Sequence, residues 1–135
     1  MDGDGVPELA VGAGSEFGGE QRVYILFMFS NGTVKHYSTI ASGIGGGPLL
    51  LPYSFFGCSL ANIGDVNRDG ITDLAIGARW TRDLVTGSQM GAVYLCTLQA
   101  NGTASQCLHY NSANLPLQVR ERERLCNRIS PLSLT

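Results

Sequence analysis

A short acidic loop that runs directly into an apolar segment constrains the fold of this chain more than any other feature. The loop begins at Asp65 and carries acidic or amide side chains at its first, third, fifth and ninth positions, with Gly70 at the sixth. Carboxylates, amides and backbone carbonyls at alternate positions can surround a calcium ion, which takes about six to eight oxygen ligands. Gly70 permits the sharp turn, because a positive φ costs glycine little. The predicted ligands are the side chains of Asp65, Asn67, Asp69 and Asp73 and the carbonyl of Ile71.

The chemistry of these ligands favours calcium over other metals, and a metal-free loop is the alternative. The loop contains no His or Cys, which are the ligands typical of zinc and copper sites. Magnesium usually keeps several waters, whereas a flexible cage of protein oxygens suits calcium. In the alternative, the same residues form an acidic turn that Asp and Asn side chains hold through hydrogen bonds to the backbone.

The residues after the loop exclude an EF-hand and predict a sheet. An EF-hand closes its loop with a bidentate Glu at the twelfth position, where this chain has Ile76. Residues 74–78 are a short apolar run, which is typical of a buried strand. The acidic loop is therefore predicted to lead into a β-strand instead of a helix.

Much of the same pattern occurs near the N-terminus. Residues 2–13 align with residues 67–78, and the two acidic positions and the glycine of the loop match in this alignment. This copy has no counterpart of Asp65, and its last acidic residue is a longer Glu. We predict a second, degraded calcium site in it. The predicted ligands are the side chains of Asp2, Asp4 and Glu8 and the carbonyl of Val6.

Both copies contain predicted strands of the same kind and order. Apolar, aromatic and β-branched residues are concentrated in short segments between turn residues, which is the composition of strands. About four strands per repeat are the content of a propeller blade, and a closed propeller needs about four to eight blades. The predicted strands lie at residues 8–13, 22–29, 33–40, 56–63, 73–78, 91–99 and 103–110.

Two Asn-Gly pairs predict the hairpin turns. Asn31-Gly32 and Asn101-Gly102 are the residues that two-residue hairpin turns prefer. Each pair is followed by Thr, so that both are also glycosylation sequons, a use that the sequence leaves open. A two-residue turn at Asn101-Gly102 would place Cys96 opposite Cys107. These two residues then either form a disulfide or pack as small apolar side chains, and Cys58 and Cys126 are expected to be free.

The repeated unit resembles the FG-GAP repeat, the blade of integrin alpha-chain β-propellers. The second copy carries most of the signature, in the order Phe56-Gly57, the acidic loop, Gly77-Ala78 and Gly91-Ala92-Val93-Tyr94-Leu95. The resemblance covers residues 2–110, although the first copy has no Phe-Gly pair, so we expect a fragment of a longer protein. It implies an all-β partial propeller. The expected units are a truncated first blade at 1–48, a second blade at 49–110 and an irregular or disordered tail at 111–135.

The resemblance also implies an extracellular or cell-surface module for adhesion or protein recognition, in which Ca²⁺ is structural. The expected partners are a protein ligand or further propeller blades, with glycan binding and self-association through exposed blade edges as further options. The alternative function is a carbohydrate-binding propeller or an accessory module of a secreted hydrolase.

Composition and motifs argue against other classes of function. A net charge of −2 does not provide the basic face that nucleic-acid binding requires. No apolar run reaches the ~18 residues of a membrane span, so we expect no direct membrane insertion by this segment. No serine lies in a Gly-x-Ser-x-Gly elbow, and cation binding explains the clustered carboxylates, so we expect no enzymatic activity.

Overall fold

The computed structural model describes residues 1–14, 19, 21–82 and 87–111, and these residues form two antiparallel β-sheets. The seven strands are β1 (Leu9–Ala13), β2 (Arg22–Met28), β3 (Val34–Ala41), β4 (Phe56–Gly64), β5 (Asp73–Ala78), β6 (Ala92–Leu98) and β7 (Ala104–Asn111). The first sheet has the order β1-β2-β3, and the second has the order β4-β5-β6-β7. The described residues contain no helix and no closed barrel. The predicted all-β partial propeller is therefore confirmed.

Each strand begins and ends within one residue of its predicted bounds. The prediction succeeds because side chains along a strand alternate between the two faces of a sheet. In β2, for example, Val23, Ile25 and Phe27 are buried, and the residues between them are half-buried. The predicted tail at 111–135 lies outside the described residues from residue 112 onward.

The two sheets pack face to face through one apolar core. Ile25 and Phe27 of the first sheet belong to the same buried cluster as Phe56, Ile76 and Leu98 of the second sheet. These side chains are at most 2% exposed. Burial of a large apolar side chain contributes about 1.5–3 kcal/mol. Contact between the two repeats is therefore a main source of stability.

The sheets come closest where signature glycines of the two repeats meet. A Cβ atom on Gly12 of β1 would lie 1.9 Å from the carbonyl oxygen of Gly57 in β4. Gly57 has a φ of +90°, a conformation that other residues rarely adopt. The Gly-Ala motif of the first copy thus packs against the Phe-Gly motif of the second, and the approach requires glycine at residue 12.

The hairpin tips differ from the predicted two-residue turns. The N–H of Gly102 donates to the carbonyl of Gln99 at 2.8 Å, and the N–H of Gln99 donates to the carbonyl of Thr103 at 2.8 Å. This is a longer turn that ends in a left-handed glycine, since Gly102 has a φ of +76°. A two-residue type I′ turn needs a positive φ at both central residues, and Asn101 does not have one. The prediction of a two-residue turn is therefore wrong.

A bulge in β7 nevertheless restores the predicted register. Leu98 pairs with Ala104, whereas Thr97 pairs with Gln106, so Ser105 is an extra residue in the strand. β3 has the same bulge, because Met28 pairs with Val34 while Phe27 pairs with His36. The extra residue of β3 is Lys35.

The cysteines of the described residues are all disulfide-bonded. Beyond the bulge, Cys96 pairs with Cys107, and the two residues form a disulfide. Of the two alternatives for this pair, the disulfide is therefore correct, and packing as free apolar side chains is not. Cys58 is disulfide-bonded as well, so the expectation that it is free is wrong. Cys126 lies outside the described residues. Disulfides of this kind are typical of secreted and extracellular proteins.

Candidate metal centre

Side-chain acceptors hold the second acidic loop, residues 65–73, in a tight turn. The Asp65 carboxylate accepts hydrogen bonds from the N–H of Asp69 at 3.0 Å and of Gly70 at 2.7 Å. The Asn67 carbonyl oxygen accepts from the N–H of Asp69 at 3.2 Å, and the Asp69 carboxylate accepts from the N–H of Ile71 at 2.8 Å. An ionised carboxylate offers about four acceptor positions. The predicted ligands therefore retain acceptor capacity beyond these bonds.

Asp73 fastens the end of the same loop to the sheet. Its side chain is fully buried, with 0% exposure. One carboxylate oxygen accepts from the N–H of Val66 at 2.9 Å, and the other accepts from the N–H of Leu98 in β6 at 2.9 Å. A buried carboxylate is costly unless hydrogen bonds compensate it. Asp73 thus has a structural role in addition to its predicted role as a ligand.

The first acidic loop, residues 2–8, has three hydrogen bonds that correspond to bonds of the second loop. The N–H of Asp4 donates to the Asp2 carboxylate at 3.1 Å, and the N–H of Val6 donates to the Asp4 carboxylate at 2.7 Å. The Glu8 carboxylate accepts from the nitrogen of Met1 at 2.6 Å, the counterpart of the bond from Val66 in the second loop. The two loops therefore share the same turn, but Glu8 and Asp73 differ in their second hydrogen bond.

The backbone follows the same path in both loops. Gly3 and Gly5 have φ values of +82° and +80°, and the aligned Arg68 and Gly70 have values of +62° and +85°. A non-glycine residue in this region is strained unless its surroundings hold it there. The hydrogen bonds of the second loop hold Arg68 in this conformation.

A cation from the protein itself lies in the first loop. The Lys35 ammonium group pairs with the carboxylates of Asp2, at 3.3 Å, and Asp4. It also lies 5.5 Å from the centre of the Phe29 ring, within the range of a cation–π interaction. No lysine or arginine of the described residues forms an ion pair with a carboxylate of the second loop. The two equivalent loops therefore differ in how their negative charge is neutralised.

The ion pair shifts the pKa values of Asp4 and Lys35 in the directions that favour their charged forms. The hydrogen bond from Lys35 lowers the pKa of the Asp4 carboxyl, and the same contact raises the pKa of the Lys35 ammonium. For Glu8, burial raises the pKa, but the hydrogen bonds that it accepts from the N-terminal amino group and from the N–H of Asp2 outweigh burial, and the pKa is lowered. Asp4, Glu8 and Lys35 therefore remain charged at neutral pH.

The donor atoms of the second loop fit a hard cation. All are carboxylate, amide or carbonyl oxygens, which calcium prefers. The described residues contain no group of three or more His, Cys, Asp and Glu side chains that could hold a metal ion as they stand. The donor atoms of the loop thus suit calcium, and its hydrogen bonds shape the turn that carries these atoms.

The two histidines of the chain lie outside the acidic loops. His36 and His109 are exposed on their strands, and they contact the rings of Phe27 and Tyr94 at 4.3 and 5.0 Å between ring centres. They lie on strand surfaces and are not metal ligands in any group of the described residues.

An aromatic cluster lies at the end of β4 opposite to the second loop. The Arg79 guanidinium group lies 4.5 Å from the ring centre of Phe55 and 5.6 Å from that of Trp80. Phe55 is buried, whereas Trp80 is 47% exposed. Neither Lys35 nor Arg79 was identified from the sequence, because their contacts depend on the bulge in β3 and on the packing of β4 against β5.

Sequence comparisons with known proteins point to the same family as the repeated unit does. The chain is 37% identical to integrin alpha-7 of Homo sapiens over 106 residues, which cover 69% of the chain. It is 34% identical to integrin alpha-4 of Xenopus laevis over 97 residues (70% of the chain) and 30% identical to integrin alpha-3 of Mus musculus over 120 residues (86%). The chain spans 8–10% of the length of these relatives. No protein-family model matches the chain.

Proposed function

The chain is an integrin alpha-like FG-GAP region, and we propose that it is a calcium-stabilised pair of blades from an adhesion propeller. The relatives support an extracellular module of the adhesion type. The described residues contain no helix that is long and apolar enough to cross a membrane. The relatives are integrin alpha chains, and we propose an adhesion role without catalysis for this chain.

The proposed calcium ion binds the second loop. Its ligands would be the side chains of Asp65, Asn67, Asp69 and Asp73 and the carbonyl of Ile71. When bound, the ion supplies positive charge to the loop and fixes the connection between β4 and β5. The observation that carries this proposal is the contrast between two equivalent loops, since the first holds the Lys35 ammonium and the second holds no protein cation among the described residues.

The first loop stays a predicted calcium site, but we expect it to bind calcium more weakly than the second loop. Its ligands would be the side chains of Asp2, Asp4 and Glu8 and the carbonyl of Val6. Lys35 already pairs with two of its carboxylates. We therefore propose that calcium binds the second loop in preference to the first.

Exposed apolar side chains on the outward face of the first sheet support the proposed partners. Leu9, Val11 and Tyr37 are 51%, 38% and 62% exposed on the first sheet. Exposed apolar residues on a sheet face indicate a missing neighbour. We propose that further propeller blades cover such faces, that residues 1–48 and 49–110 are successive blades, and that the assembled propeller binds a protein ligand. Neither glycan binding nor self-association has comparable support.

A calcium titration tests this proposal. By isothermal titration calorimetry, the chain should bind one calcium ion, and Asp69→Ala should abolish the binding because it removes one charged ligand of the second loop. Asp83→Ala is the control, since it removes the same charge outside both loops and should leave binding unchanged. Equal calcium binding by the chain and by Asp69→Ala would contradict the proposed site.

A further inference from the structure

The bulge in β3 directs Lys35 toward the first acidic loop. A bulge inserts one residue into a strand and re-aims its side chain, and Lys35 is the inserted residue. Its ammonium group contacts carboxylates that are separated from it by more than thirty residues in the chain, at Asp2 and Asp4. The side chain of Lys35 is 20% exposed, and those of Asp2 and Asp4 are 28% and 31% exposed, so the pair lies at the surface. The contact nevertheless joins segments that are distant in the chain.

The aligned residues of the second repeat cannot make this contact. Ser105 is the inserted residue of β7, and its hydroxyl lies 2.7 Å from the hydroxyl of Thr97. Gln99 stands where the first repeat has Phe29, and it accepts a hydrogen bond from the hydroxyl of Thr103 at 2.9 Å. The first repeat thus has both a lysine and an aromatic ring at its acidic loop, and the second repeat has neither at these positions.

We infer that Lys35 takes the place of a metal ion in the first loop and keeps calcium out of it. The ammonium group bridges the two carboxylates whose counterparts in the second loop are the proposed ligands Asn67 and Asp69. A second cation there would face repulsion from the Lys35 ammonium at close range, and it would have to displace that group from both carboxylates. On this inference, Lys35 neutralises the first loop, and calcium binds only the second. This inference deepens the proposed function, because it uses the calcium site of the second loop as its reference.

Calcium stoichiometry tests the inference. The variant Lys35→Ser reproduces the residue of the second repeat at the same bulge and should raise the number of calcium ions bound per chain from one to two. Lys35→Arg keeps a cation at this position and should leave the number at one. Terbium luminescence provides a second readout, because the ion reports its own binding through nearby aromatic side chains.

The double variant Asp69→Ala/Lys35→Ser separates this inference from the proposed function. With the second loop disabled, it should bind one calcium ion, whereas Asp69→Ala alone should bind none. If the unaltered chain bound no calcium but Lys35→Ser bound one, the proposed function would fail and the inference would stand. Binding of two ions by the unaltered chain, or no additional ion after Lys35→Ser in a folded chain, would overturn the inference.

Discussion

Asp73→Ala should destabilise the chain more than any other substitution in the acidic loops, even when a chelator removes all metal. The carboxylate is fully buried and accepts hydrogen bonds from the N–H groups of Val66 and Leu98. Its loss leaves both donors without an acceptor, at about 1–3 kcal/mol each. We therefore expect a decrease of about 2–6 kcal/mol in the free energy of unfolding, measured by urea titration in chelator. A loss of this size is comparable with the whole stability of a small domain.

Asp65→Ala is the matched comparison for this result. Asp65 also accepts two backbone hydrogen bonds, but it is exposed, and water can replace the lost acceptor. In chelator, its effect should be no more than about 1 kcal/mol. Equal unfolding free energies for Asp65→Ala and Asp73→Ala would show that Asp73 has no structural role beyond its charge.

Gly12→Ala should separate the two sheets. The added Cβ would lie 1.9 Å from the carbonyl oxygen of Gly57, and both partners are backbone, which cannot relax by a change of rotamer. Overpacking costs about 1–3 kcal/mol where side chains can adjust. We expect a loss of about 3 kcal/mol or more in unfolding free energy, together with increased binding of a hydrophobic dye to the exposed core.

Gly14→Ala provides the control for the glycine contact. A Cβ at this position would lie 3.6 Å from its nearest neighbours in the second sheet, which is ordinary van der Waals contact. The variant should unfold within about 0.5 kcal/mol of the unaltered chain. If Gly12→Ala were as stable as Gly14→Ala, the close approach of the two repeats would not hold in solution.

The strands and the acidic loops could be predicted because their signals are local. Alternation of apolar residues sets which face of β2 is buried, and the spacing of Asp65, Asn67 and Asp69 sets the hydrogen bonds of the turn. The pairing of Cys96 with Cys107 was predicted for a partly wrong reason. The turn is longer than two residues, and the bulge at Ser105 compensates for the difference.

The remaining features depend on contacts between distant segments. Burial of Asp73 requires the N–H of Leu98 in β6, and the sequence around the loop does not reveal this partner. Lys35 is an ordinary polar strand residue in the sequence, and only the bulge directs it to Asp4. The repeat alignment contains one signal for the role of Lys35, because it aligns this lysine with Ser105. That difference can be interpreted only when the structure shows that the acidic loop lies beside β3.

A thermal melt of the chain in excess calcium and again in chelator tests the central claim most directly. An ion that binds the folded state alone stabilises it by about 2.7 kcal/mol at a hundredfold excess over its dissociation constant. For a domain of this size, we predict an upward shift of the melting temperature of roughly 10 °C in calcium. The same cooperative transition at the same temperature in calcium and in chelator would contradict the claim, and the loop of residues 65–73 would then be an acidic turn that its hydrogen bonds hold without a metal ion.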